Sequence, residues 1–275
     1  MSLSASGNIA APDLSGVALR NVLCLLALIA VLWLFHIYGR TLPTAALVLV
    51  WVALTAAIAA ALFWRSRIRR RAFLAAYIAP QSPLRRWLRG GWLLGLRQLL
   101  LGSALALIFA VALIRLSDAG IWIVLIGTAP ALVLVEMLLR RSLATHVSRS
   151  YLPELSWRLS LLVVATAMVA LLVMLAFHQA HPDFSGISLE RSVWHLVDQE
   201  QARSHAAHTL LQMAAAKEAL RLWLAQQLMP QPGASLMQLL GWLLLLAEEA
   251  LFVWSYLLVC NAVLIGVSAD DRARG

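Results

Sequence analysis

Residues 44–71 read TAALVLVWVALTAAIAAALFW followed by RSRIRRR: an uncharged apolar run from Thr44 to Trp64, then five arginines among the next seven residues. At 1.5 Å rise per residue such a run makes a helix about 30 Å long, the thickness of the hydrocarbon core of a bilayer. Residues 44–64 are therefore predicted to be a spanning helix whose C-terminal end meets a strongly basic loop.

Working outward, five further stretches have the same character: about Asn21–Tyr38, Gln98–Ile114, Ala119–Leu139, Leu159–Phe177 and Leu236–Val267. The predicted fold is an all-α polytopic membrane protein with six transmembrane helices. Composition agrees, with 62% hydrophobic residues, only 13% charged and a mean hydropathy of +0.82, which excludes a soluble globular enzyme and a disordered chain. The first span runs through His36-Ile37-Tyr38 into Gly39-Arg40-Thr41 with no small-residue cleavage site, so it is expected to be an uncleaved anchor.

The formal charge of +9 has one source. Arg65, Arg67, Arg69, Arg70, Arg71, Arg85, Arg86, Arg89 and Arg97 stand in a segment without acids, and the other 13 basic residues balance all 13 acidic ones. Arg140, Arg141, Arg149 and Arg158 follow span four, Arg20 precedes span one, and Arg272 and Arg274 follow span six; only Arg40 and Arg115 sit in the two short opposite loops. The positive-inside rule then places both termini and the basic loops in the cytoplasm. Tryptophans interleaved with arginines in 65–97 predict amphipathic helices on an anionic leaflet or against a cytoplasmic protein subunit; nucleic acid is not expected. One Lys against 21 Arg and an Ala/Leu-rich vocabulary suggest a bacterial inner membrane. Cys24 and Cys260 both fall inside spans and are expected to be buried, unpaired thiols.

Three regions result: 1–178, five spans with the basic loop 65–97; 179–235, an external helical segment; and 236–275, the sixth span and a cytoplasmic tail. The external segment has an apolar stripe from Val193 to Leu228, broken by the polar stretch Asp198–Thr209, which predicts a bend or two helices rather than one rod. It is too small for a strong core of its own. The stripe is expected to pack on the membrane surface, a partner, or a second copy in a homo-oligomer. His178, His181, His195, His205 and His208 lie here, with Asp198 one helical turn after His195. They are taken as solvated surface positions; zinc or copper on one pair plus a third ligand is the alternative, and no cofactor is required.

Three acids stand within spans. Glu136 precedes Arg140 by four residues, the spacing of a helical ion pair. Glu248 and Glu249 lie about twelve residues into span six as counted from Leu236. That places them near the midplane, where a charge marks an ion path, a subunit contact or a structural pair. Glu248-Glu249-Ala250-Leu251-Phe252 is similar to the diglutamate motif of intramembrane CAAX-type proteases. However, Val253 replaces the arginine of that motif and no histidine follows His208, so protease activity is not expected. No phosphate loop, zinc-protease motif or dinucleotide fingerprint is present. The expected role is a non-enzymatic inner-membrane subunit of a transport or secretion assembly. The loose topological similarity to membrane subunits of ABC exporters makes a permease the rival, and a metal-dependent membrane enzyme using the external histidines comes third.

Overall fold

The computed structural model describes residues 14–77, 92–147, 152–178, 182, 184, 186–228 and 236–274; side chains are described within these except at 14–15, 67–77, 153–154, 177, 225, 227–228, 236–245 and 269–274. Among the described residues eight helices follow one another: α1 (Leu14–Tyr38), α2 (Thr44–Tyr77), α3 (Trp92–Arg115), α4 (Ala119–Leu143), α5 (Leu152–His178), α6 (Leu189–Val197), α7 (His205–Leu228) and α8 (Leu236–Arg274). Six of them, all but α6 and α7, are long and apolar enough to cross a membrane. The described residues hold no strand. This is the architecture of a multi-pass membrane protein.

Local chemistry sets the helix ends. Asp118 caps α4, its Oδ1 accepting the Gly120 N–H at 2.7 Å, and Ser188 caps α6 through the Arg191 N–H. At Gly39, which closes α1, a Cβ would stand 2.7 Å from both Ile114 Cγ1 and the Phe35 carbonyl, so the tight turn into α2 requires glycine.

α8 is the central element, packed against α1, α2, α3, α5 and α7. Its Tyr256 is fully buried and donates to the Leu125 carbonyl at 3.1 Å, satisfying the hydroxyl inside the bundle. Around it Leu25, Ile58, Phe109, Leu132, Met168 and Cys260 form one continuous core. Large apolar residues on the opposite helix faces, such as Leu49, Leu100, Ile123 and Leu162, are exposed, as a lipid-facing surface requires. α2 and α3 make the most extensive helix pair. The alanine run of α2 lets Gly102 approach until a Cβ there would meet Ala59 Cβ and N at 3.0 Å.

α6 and α7 form a hairpin joined by the turn at 198–204, which is where the polar stretch interrupts the apolar stripe. Its base is tied by side chains to backbone. Trp223 Nε1 donates to the Ile187 carbonyl at 2.9 Å, while the Gln226 amide accepts from Phe184 N at 2.6 Å and donates to the Pro182 carbonyl at 2.8 Å. Part of the stripe packs on the chain's own spans. Leu211, 1% exposed, belongs to the bundle core, and Ala207, Ala215, Ala219 and Leu222 are buried with it. Too small to bury its own apolar face, the hairpin caps the chain's own spans.

An ion-paired cavity under the insert

Four cations and four acids meet where the insert crosses the bundle end. Arg40 follows α1 and Arg115 closes α3, so each projects from the end of a span. Glu200 lies in the α6–α7 turn, only 8% exposed, with Arg115 Nε 3.0 Å from one carboxylate oxygen and Arg40 Nη1 3.1 Å from the other. Arg115 also reaches Glu218 of α7 at 2.6 Å. Two polar contacts align the turn: Arg203 N donates to the Arg40 carbonyl at 3.0 Å, and the Thr44 and Ser204 hydroxyls are 2.8 Å apart.

The second half of the network joins α7 to α8. Lys217 and Arg221, one turn apart, grip the two oxygens of Glu248 at 2.5 and 3.1 Å. Adjacent residues on a helix diverge by about 100°. Lys217 and Glu218 therefore point to different neighbours, one tying α7 to α8 and the other to α3. The same divergence separates the two consecutive glutamates. Glu248 is held by α7, whereas Glu249 makes no hydrogen bond or ion pair with any described residue.

Glu249 faces a half-open cavity of about 410 Å³. Leu107, Ile108, Val111, Leu172 and Phe252 supply apolar walls, and Arg115, Lys217, Glu218, Arg221 and Glu248 complete the polar rim. Such a mix of apolar lining and a few convergent charges is characteristic of ligand sites.

Glu248 sits toward one end of the helix bundle. Phe252, one turn beyond it, packs against Phe109 with ring centroids 5.5 Å apart. Phe109 is only six residues, about 9 Å, from the α3 terminus at Arg115. Glu248 thus stands close to the level of the α3 terminus, on a helix of 39 residues, about 58 Å, far more than one crossing needs.

The remaining candidate residues are dispersed. Glu136 pairs with Arg140 at 2.5 Å within α4. His178 Nδ1 is 2.8 Å from the Met174 carbonyl oxygen, His195 is exposed beside Gln199 and edge-on to Phe184, and His205 is exposed beside Thr209. Half-buried His208 and exposed Asp198 add no common centre, and no three His, Cys, Asp or Glu side chains converge among the described residues. His181 lies outside them. Of the basic cluster, Arg65 stacks on Trp254 with its guanidinium carbon 4.9 Å from the ring centroid, and Arg97 is exposed. The side chains of Arg67, Arg69, Arg70, Arg71, Arg85, Arg86 and Arg89 lie outside the described residues. Cys24 and Cys260 are both free thiols.

Reading the sequence alone misses Arg40, Arg115, Glu200, Glu218, Lys217 and Arg221 as a site. One signal was available: Arg40 and Arg115 are the only bases in two otherwise short turns, against the trend of the charge. Comparison with family models, with curated proteins and with solved structures gives no match to this chain.

Proposed function

We propose that this chain is a non-enzymatic inner-membrane subunit of a bacterial transport or secretion assembly, with both termini and the arginine-rich segment 65–97 in the cytoplasm and the α6–α7 insert outside. The observation that carries this reading is the layering of the insert. α7 contacts both α6 and the spans, while among the described helices α6 packs only on α7 and presents Trp194, 56% exposed, beside the exposed charges of Glu190, Arg191 and Asp198. A large aromatic ringed by charges on an outermost helix is the composition of a protein–protein hot spot. On the other face, 65–97 offers its positive charge to an anionic leaflet or an acidic cytoplasmic subunit.

Trp194→Ala tests this directly. The variant is expected to insert and melt like the parent, since exposed positions change stability by about 0.5 kcal/mol or less. In native membranes it should migrate as a smaller complex on non-denaturing gels, because losing a hot-spot aromatic weakens association by about 2 kcal/mol or roughly thirtyfold. A complex of unchanged size sinks the assembly reading.

The cavity favours a second reading, a permease whose substrate passes this site. Ala112→Phe fills the α3 wall without touching an ion pair. Under this reading it stops transport in cells while leaving the complex size unchanged.

A further inference from the structure

Independently of the assembly reading, we propose that the cavity under the insert is a binding site for an amine-bearing phospholipid of the phosphoethanolamine type. The apolar walls run down α3 through Leu107, Ile108 and Val111. Ile108 is 45% exposed and belongs to the same apolar helix surface as Leu100 and Leu101, while Met213 of α7, 65% exposed, flanks the other side. One edge of the opening thus continues the exposed apolar face of a candidate span, and an amphiphile reaches it sideways from the bilayer. A volume of about 410 Å³ is at the small end of ligand sites. It admits a headgroup and the first methylenes, leaving the acyl chains in the membrane.

Charge on the rim selects the headgroup. Arg115 is engaged by Glu200 and Glu218, and both Lys217 and Arg221 are engaged by Glu248. Lys217 nevertheless has three donors and Arg221 five, so each retains N–H groups after one bond to Glu248. Beside them Glu249 feels the charges of Arg221 and Lys217 but accepts no hydrogen bond from a described residue. The rim therefore presents spare donors next to a spare carboxylate. A phosphate with an ammonium two carbons away satisfies both, the phosphate on Lys217 and Arg221 and the ammonium on Glu249. A phosphoglycerol headgroup has no cation for Glu249. A phosphocholine headgroup has a cation without N–H, so it donates no hydrogen bond to the Glu249 carboxylate.

The test uses the full chain in nanodiscs made with equal parts of phosphatidylethanolamine, phosphatidylglycerol and phosphatidylcholine, followed by release and native mass spectrometry of retained lipid. The parent is expected to keep one phosphatidylethanolamine about tenfold over either competitor, a 1.4 kcal/mol preference. Glu249→Gln, isosteric and uncharged, should cut the preference over phosphatidylcholine to about twofold or less, and Lys217→Gln should lower retention of all three lipids. Thermal melts in detergent identify any variant that has lost its fold. Equal retention of the three lipids by the parent overturns the proposal, as does a preference for phosphatidylglycerol. So does an undiminished preference in folded Glu249→Gln.

Discussion

Replacing Arg115 by Ala releases the insert from the bundle. Arg115 is the node of the network: its Nε meets Glu200 and its Nη2 meets Glu218, and only 16% of its side chain is exposed. Without it Glu200, 8% exposed, keeps only Arg40, whose side chain is 42% exposed. Removing one partner of a buried ion pair costs about 3–5 kcal/mol, because the remaining charge stays desolvated. Glu218 is 39% exposed and recovers water, so the lower end of that range applies. About 3 kcal/mol raises the undocked population of the insert roughly a hundredfold. Hydrogen exchange checks this: amides of α7 should exchange about a hundred times faster, with those buried in α4 and α5 unchanged. Arg115→Lys retains the charge but loses the forked geometry, and should fall between the two. Unaltered α7 exchange in Arg115→Ala would show that the apolar contacts of Leu211 and its neighbours hold the insert without the ion pairs.

Gly102→Leu separates α2 from α3. A Cβ at this position already stands 3.0 Å from Ala59 Cβ and from the Ala59 backbone nitrogen. A backbone atom cannot swing aside as a flexible side chain does, so the two helices must move apart. Overpacking of this kind costs about 1–3 kcal/mol, and a branched side chain against backbone belongs at the upper end. The separation also removes the hydrogen bonds of Trp51 Nε1 to the Ser103 carbonyl (3.2 Å) and of Gln98 to Ser66 (3.0 Å), both of which bridge the same pair of helices. The expected result is a large fall in melting temperature in detergent and a poor yield of folded protein. Gly102→Ala, meeting the same atoms with a single methyl, should lose about half as much or less. A melting temperature for Gly102→Leu within a degree or two of the parent would refute the close approach.

Much of the architecture was legible because lipid imposes a simple rule on sequence. Residues 44–64, 119–139 and 159–177 had to be long apolar runs to satisfy backbone and side chains at once. Each lies within one of the observed long helices. The break in the insert was legible for a similar reason, since 198–204 offers no apolar face to continue a helix. The site was not. Arg115, Glu200, Glu218 and Glu248 are far apart in the chain, and nothing local to any of them announces a partner. Glu248 was conspicuous, but hydropathy says how much of α8 is apolar and not which of its 39 residues lie level with the end of α3.

The sequence by itself therefore determined the number of spanning helices, the location of the surplus positive charge in 65–97 and the helical nature of the insert. These are sums over short-range properties, chiefly the cost of exposing a polar group to hydrocarbon. Only the tertiary structure decided that the insert turns its apolar face onto its own bundle, that Glu248 is neutralised by α7, and that Glu249 is left facing a cavity. Those outcomes depend on which helix ends converge and on the 100° step between adjacent residues, which sends one glutamate to a partner and its neighbour to an open space.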